Sequence, residues 1–316
     1  MRYPKRTAHF FAMYSLSTCW NSHRHTDGRA MLQEIRDLGF EYAELSHGIR
    51  ISLLPGVIEA VDAGVIKIST LHNFCPLPIG VNHAAPNIFK FTALDRRERE
   101  NAFRHSIKTI ETAERVGARL IVLHMGAVEM KDYTDKLVEM VGRNEKETSK
   151  YEKLCNEVVE KRESKKDKFV EGAIEMLRAL EQHASSRGLK LGIENREALE
   201  EIPFETDFTF FLQEFPGDTV KYWHDCGHAQ IKHNLGFIDH AMHLETMSPW
   251  LHGFHIHDVQ FPGRDHCPPG SGMIDWAALK PFVKPEHIKV LELSPGVPPQ
   301  DVLTGFSHLK SFWGEE

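Results

Sequence analysis

Short apolar segments alternate with amphipathic segments along the whole chain. Residues 40–46 alternate between apolar and polar positions, which is the two-residue period of a β-strand. Gly39, Gly64 and Gly117 each follow a segment with helical character, where glycine is a common helix stop. The pattern predicts strands at 10–17, 40–46, 65–71, 119–123, 189–193, 219–223, 251–256 and 288–293, and helices at 27–38, 53–63, 96–116, 151–180, 206–215, 237–247, from 275 onward and at 299–312.

Eight strand and helix pairs in succession are typical of a parallel barrel. An eight-fold barrel commonly takes about 250 residues as one domain, and this chain has 316. An open doubly wound sheet would carry a glycine-rich phosphate turn after its first strand, and residues 15–21 contain no such motif. We therefore expect an α/β fold, a (β/α)8 TIM barrel, as a single domain over residues 1–316.

Two segments are longer than a barrel requires. Residues 129–185 are dense in lysine and glutamate, which predicts a charged helical insertion over approximately 129–168 after the fourth strand. A solvated insertion is favoured over an oligomer contact or a lid. Residues 74–91 form a loop rich in proline and aromatic residues, and long loops in compact domains are usually functional. We expect this loop to shape or cover a pocket, with a surface excursion as the alternative.

Composition narrows the partners of the chain. A formal charge of −7 and a pI near 6.3 disfavour a broad basic face, so nucleic acid is disfavoured and a small solute is expected. The five cysteines lack a CxxC pair, which argues against disulfides and thiolate zinc sites. No segment approaches the roughly 18 apolar residues of a membrane helix. Residues 8–16 lack the cleavage site of a signal peptide, so we expect a cytoplasmic protein.

Polar residues end four consecutive predicted strands. Parallel barrel strands deliver their carboxyl ends to one face, so residues far apart in sequence meet there. Three carboxylates and one imidazole form an oxygen-rich site suited to Mn²⁺, Mg²⁺ or Co²⁺, with Zn²⁺ allowed by the imidazole. Without a cation such buried carboxylates would repel one another. The predicted metal ligands are Glu194, Asp225, His255 and Glu292.

Further histidines lie near the same strand ends. His228 follows Asp225 by three residues, so it either ligates a second metal or bonds the substrate. The histidines at the ends of the third and fourth strands either hold a second ion or bind oxygen atoms of the ligand. His266 lies in a loop with prolines and glycines, as a positioned ligand, an acid or base, or part of a mere turn. The candidates for a second metal or for substrate binding are His72, His124, His228, His257 and His266.

These positions together match a known pattern. The chain resembles, over nearly its whole length, the xylose isomerase-like TIM barrel superfamily, which includes sugar phosphate isomerases and epimerases and AP endonuclease family 2. The resemblance rests on Ile193-Glu194-Asn195, Asp225-x-x-His228, His255-Ile-His257-Asp258, Pro269-Gly-Ser-Gly272-x-Ile-Asp275-Trp276 and Leu291-Glu292. The motifs indicate the superfamily and leave the reaction open.

The resemblance implies two chemistries. In ketose epimerases the matching positions bind one divalent ion, and the matches to Glu194 and Glu292 move a proton on the two faces of the substrate. In the endonuclease branch, the matches to His72, His124, His228 and His266 help to hold three zinc ions. This chain departs from that branch at Arg264, where an aspartate would stand two residues before the histidine. Barrels of this type often form homo-oligomers.

The expected function is that of a divalent-metal-dependent isomerase or epimerase. Its substrate would be a sugar, polyol or related hydroxy-ketone, and the proton would move through a metal-stabilised enediolate. Glu194 and Glu292 would transfer the proton, and His228 would steady the developing oxyanion. The alternative is a multi-zinc AP endonuclease-like phosphodiesterase, and a third reading is a sugar-binding barrel without catalysis.

Overall fold

Eight parallel strands close into a barrel, which confirms the predicted TIM barrel. The computed structural model describes residues 13–314; residues 10–12 of the first predicted strand, and the start of the segment weighed as a signal peptide, lie outside them. Around the barrel the order is β1-β10-β7-β6-β5-β4-β3-β2, and β8 pairs with β9 in a separate hairpin. The strands are β1 Met13–Ser17, β2 Tyr42–Leu45, β3 Lys67–His72, β4 Leu120–Leu123, β5 Lys190–Glu194, β6 Val220–Asp225, β7 Leu251–Ile256, β8 Asp258–Gln260, β9 Arg264–Cys267 and β10 Ile288–Leu291.

Helices connect successive strands and cover the barrel. Several begin at an aspartate whose side chain accepts backbone N–H groups: Asp27 accepts from Arg29 and Ala30, and Asp95 accepts from Glu98. The helices are α1 Gly28–Asp37, α2 Leu54–Asp62, α3 Arg96–Val116, α4 Thr134–Gly142, α5 Ser149–Glu163, α6 Asp167–Ser185, α7 Phe208–Gln213, α8 Cys226–Leu235, α9 His240–Met247, α10 Trp276–Leu279 and α11 Pro299–Trp313, with 3₁₀ turns at Ile51–Leu53 and Lys280–Phe282. In residues 13–314 no helix is long and apolar enough to cross a membrane.

One helix and one β-hairpin escaped the sequence analysis. Helix α8 begins immediately after β6, because the Asp225 carboxylate accepts the His228 N–H at 2.7 Å and caps the helix. Nearly every residue of α8 is buried, its polar residues included, so the helix has no separate solvent-facing polar side and no amphipathic period to detect. The β8–β9 hairpin lies in the segment that its glycines and prolines had marked as a loop.

Insertion helices are present after β4, as expected. α4 and α5 precede α6, which is the barrel's own helix, and α4 lies before the segment in which helical periodicity was recognised. The insertion is tied to the barrel by buried polar contacts: Glu200 accepts from the Tyr133 N–H and the Thr134 hydroxyl, each at 2.8 Å. The Tyr151 hydroxyl donates to the Leu235 carbonyl at 2.7 Å, which joins α5 to the end of α8.

The interior of the barrel is filled below the strand ends by an apolar cluster around Trp223. Its members are Met13, Leu120, Val122, Trp223, Ile288 and Val290, all buried. Gly253 on β7 makes room for the indole ring: a Cβ atom there would lie 2.3 Å from Trp223 Cζ3 and 2.6 Å from the Ile288 carbonyl oxygen. The Trp223 ring in turn contacts His255, with 5.2 Å between ring centroids. The apolar plug thus supports the polar side chains above it.

We expect Gly253→Ala to lower the free energy of unfolding by about 1–3 kcal/mol, because an added methyl group overpacks the barrel interior. Chemical denaturation followed by tryptophan fluorescence would measure the shift in midpoint. Gly217→Ala is the matched control, since its nearest new neighbour would be Glu181 Oε1 at an ordinary 3.5 Å. Equal stability of the two variants would contradict this account of the core.

Candidate metal centre

The four predicted metal ligands converge. Glu194 ends β5, Asp225 ends β6, His255 lies near the end of β7 and Glu292 follows β10, and all four are buried. One ligand atom from each lies within 4.8 Å of the others. Nδ1 of His255 lies 2.5 Å from Glu194 Oε1, 3.2 Å from Glu292 Oε2 and 3.9 Å from Asp225 Oδ2. Barrel closure therefore brings together residues from four strands at one point.

Glu44 orients the imidazole of this cluster. Nε2–H of His255 donates to Glu44 Oε2 at 3.0 Å, and the hydroxyls of Ser17 and Thr70 each donate to Glu44 at 2.9 Å. Nδ1 of His255 is left to face the other carboxylates. A carboxylate that holds the far nitrogen is the usual support of a metal-binding histidine. Glu44 was missed by the sequence analysis, although it is a carboxylate within a predicted strand.

The carboxylates around His255 stabilise the positive charge of its protonated ring. Burial by itself would lower the pKa of His255, but the charges of Glu292, Glu44 and Glu194 raise it well above its usual value. In the absence of metal, the second proton of His255 therefore offsets the negative charge. A divalent ion at the same point would displace that proton and offset more of the charge. The donor set of three carboxylates and one imidazole fits such an ion.

A second set of acceptor atoms meets beside the first. The Nε2 atoms of His72 and His124 lie 3.0 Å apart, and Glu194 Oε2 is 2.8 Å from the His124 Nε2. Both Nδ1–H groups are already donated, to the Asn73 carbonyl and to Asn87 Oδ1, each at 2.8 Å. With both Nδ1 atoms engaged elsewhere, the two Nε2 atoms and Glu194 Oε2 face one another, which suits a shared cation. Glu194 lies between the two sets, with one oxygen in each.

A buried arginine already contributes positive charge here. Arg196 Nη1 donates to Glu194 Oε2 at 2.8 Å and lies 3.2 Å from His228 Nδ1, while its Nε donates to Glu201 at 3.1 Å. Burial and Arg196 hold the pKa of His124 well below its usual value, which keeps that imidazole neutral and able to ligate. The sequence analysis did not select Arg196, because no local pattern marks its contact with Glu194.

The last two histidines have different surroundings. His257 has both ring nitrogens engaged: Nε2–H donates to Asp225 Oδ2 at 3.1 Å, and Nδ1 accepts the His266 N–H at 2.9 Å. His257 therefore supports Asp225. One ring nitrogen from each of His228, His257 and His266 lies within 4.8 Å of the other two, but those of His257 are already engaged. Nδ1–H of His266 donates to the Glu292 carbonyl at 3.0 Å, and its Nε2 lies 3.7 Å from Asp265 Oδ2, with no hydrogen-bond partner in the described chain.

A cavity of about 340 Å³ opens beside the cluster. Glu292 and His266 line it, and so do Asn82 and His83 of the long loop, in agreement with the pocket role expected for that loop. His47 also lines the cavity, and its buried Nδ1 has no hydrogen-bond partner within the described chain. Buried polar atoms are normally satisfied, so this nitrogen is available to a bound molecule. The volume suits a small solute.

Comparison with known proteins identifies the family of the fold. A family model described as "Xylose isomerase-like TIM barrel" matches residues 32–311, and no curated protein sequence matches significantly. The structure is similar to apo 3-keto-D-glucoside 4-epimerase, YcjR, from E. coli, with a TM-score of 0.68, 17% identity, and coverage of 95% of this chain and 99% of that one. D-psicose 3-epimerase with D-tagatose from Clostridium cellulolyticum H10 gives a TM-score of 0.62, 12% identity and the same coverages of 95% and 99%. The structure of IOLI protein with a binding zinc atom gives a TM-score of 0.64 and 14% identity, with coverage of 95% of this chain and 99% of that one.

We expect Glu44→Gln to weaken divalent-metal binding by about 10- to 100-fold, because the amide holds the His255 Nε2–H less strongly than a carboxylate does. Competitive titration with a chromogenic chelator would measure the affinity for Co²⁺, Mn²⁺ and Zn²⁺. Glu41→Gln, at an exposed position just before β2, is the matched control. Unchanged metal affinity in Glu44→Gln would refute the supporting role of Glu44.

Proposed function

The chain belongs to the xylose isomerase-like TIM barrel family, and on that premise we propose that it is a divalent-metal-dependent isomerase or epimerase of a sugar, polyol or related hydroxy-ketone. The observation that carries the proposal is the convergence of three carboxylates on Nδ1 of His255, at the edge of a cavity sized for a small molecule. The names of two similar structures, a keto-glucoside epimerase and a psicose epimerase, support a sugar-like substrate.

Glu194, Asp225, His255 and Glu292 are the proposed metal ligands. Mn²⁺, Mg²⁺ or Co²⁺ suits the oxygen-rich set, and Zn²⁺ is also compatible with it. When bound, the ion supplies positive charge that polarises a substrate carbonyl and lowers the cost of removing the neighbouring proton. The second set, of His72, His124 and Glu194, is the proposed place for a further ion or for substrate oxygens.

Proton transfer falls to the two glutamates. Glu292 lines the cavity and is therefore the base that first meets the substrate, while Glu194 is the proposed partner on the other side. His228 is the proposed donor to the developing oxyanion. His228 Nδ1 lies 3.0 Å from the Asn195 carbonyl oxygen and 3.5 Å from Asp225 Oδ2, which leaves Nε2 as the atom proposed to face the substrate.

The second candidate function is multi-zinc phosphodiester hydrolysis. The paired Nε2 atoms of His72 and His124, 3.0 Å apart, favour it because they suit a further zinc ion. Arg264, which stands where the endonuclease branch has an aspartate, weighs against a complete third zinc site, and the net charge of −7 weighs against tight binding of duplex DNA. Metal analysis separates the two functions: about three zinc ions per chain would favour hydrolysis, and about one ion would favour isomerisation.

We expect Glu292→Gln to abolish the incorporation of solvent deuterium into sugars turned over by the metal-loaded protein, because the amide cannot accept the substrate proton. Mass spectrometry of D-fructose, D-tagatose and D-psicose incubated in D₂O would measure it, with the metal content of each sample determined alongside. Glu286→Gln, on the exposed turn before β10, is the control. Full retention of exchange in Glu292→Gln would reject the assigned role.

A further inference from the structure

A second cavity adjoins the first. It has a volume of about 600 Å³ and lies between the segment after β9, the segment after β10 and the first half of α11. His266, Ser294 and Pro295 line both cavities, so the two lie on either side of these residues. The proposed metal ligand Glu292 lines only the smaller one. A molecule bound at the metal centre therefore has a large neighbouring space available on the far side of His266.

The walls of the second cavity are preformed. Asp258 holds the loop that follows β9: its carboxylate accepts the N–H groups of Gly270 at 2.8 Å and Ile274 at 3.1 Å. The same loop packs against α11 so closely that a Cβ atom on Gly305 would lie 2.9 Å from Pro269 Cδ. A cavity with walls of such fixed backbone keeps its shape without a ligand, as binding cavities commonly do.

The residue at the junction is held in an unusual conformation. His266 has a φ of 51°, in the left-handed region that non-glycine residues rarely adopt. Three bonds hold it there: its N–H to His257, its Nδ1–H to the Glu292 carbonyl, and its carbonyl from the Ser294 N–H at 3.0 Å. Strained backbone persists where the surrounding structure enforces it, often at sites that bind ligands. Nε2 of His266, 3.7 Å from Asp265 Oδ2, is thus fixed beside both cavities.

We propose that the second cavity binds a group joined to the reacting sugar, so that the substrate is a glycoside and not a free monosaccharide. The inference rests on the proposed isomerase or epimerase function and deepens it. The smaller cavity, of about 340 Å³, accommodates one sugar ring, and a free monosaccharide would leave the 600 Å³ cavity unused. His266 Nε2 then contacts the atoms that link the two parts.

The lining of the second cavity matches a second sugar ring. Apolar surface for the carbon face of a ring is offered by Pro268, Pro269, Val297 and Pro298. Gln260, Arg264 and Thr304 add hydrogen-bonding groups at the same cavity, which suit ring hydroxyls. Mixed apolar and polar walls of this kind fit a carbohydrate better than a purely apolar ligand.

The test compares ketose disaccharides with a ketose monosaccharide. Lactulose, maltulose and D-fructose would be titrated calorimetrically into the metal-loaded protein, and we expect at least one disaccharide to bind about 10-fold more tightly than D-fructose. Thr304→Trp, which fills the second cavity from α11, should remove this advantage and leave the affinity for D-fructose unchanged. Gln300→Trp, one turn earlier and outside the cavity lining, is the matched control and should alter neither affinity.

Ser271→Trp, on the opposite wall, repeats the test from the loop, in case Thr304→Trp impairs folding. Equal or weaker binding of both disaccharides, no binding of any probe, or an equal loss of both classes in the tryptophan variants would overturn the inference. Deuterium exchange separates this failure from that of the proposed function. Exchange into D-fructose as fast as into the disaccharides rejects the glycoside alone, whereas absence of exchange in both classes rejects the isomerase or epimerase.

Discussion

The arrangement at the strand ends depends on the two nitrogens of one buried imidazole. Nε2 of His255 is bonded to Glu44, and Nδ1 faces Glu194 and Glu292 at 2.5 and 3.2 Å. Four carboxylates, counting Asp225, thus surround a ring that can carry at most one positive charge. Buried like charges at these distances require a compensating cation. The same crowding that would destabilise an apolar core makes this point a strong candidate for a divalent ion.

The contacts that support this cluster extend well beyond the four proposed ligands. Ser17 and Thr70 hold Glu44, and His257 holds the Asp225 oxygen Oδ2. Asp225 itself caps α8, so one carboxylate both directs an oxygen at the cluster and starts the helix that carries His228. The side chains of the proposed ligands are held in place by this network without an ion, which would reduce the reorganisation that ion binding requires.

The charged cluster is compatible with a stable fold because apolar and polar residues occupy different levels along the barrel axis. Trp223 and its apolar neighbours fill the barrel below, and the loops after the strands form the cavities above. Stability therefore resides mainly in this apolar cluster and the helices, while the proposed chemistry belongs to the strand ends. The loop residues vary in role: Asn87 orients His124, Asp258 holds the segment after β9, and His266 lies between two cavities.

The amino-acid sequence by itself determined the barrel, the approximate ends of its strands and the four ligand candidates, because apolar periodicity is local and parallel strands deliver their ends to one face. Helix α8 escaped because a helix buried on nearly all sides has no periodicity. The tertiary structure alone decided which nitrogen of His255 faces the cluster, and it showed that Glu44 and Arg196 take part and that His257 is fully engaged. Glu44 and His255 are separated by 211 positions, and only barrel closure brings them within 3.0 Å. Such contacts depend on register and side-chain direction across strands, which no local pattern encodes.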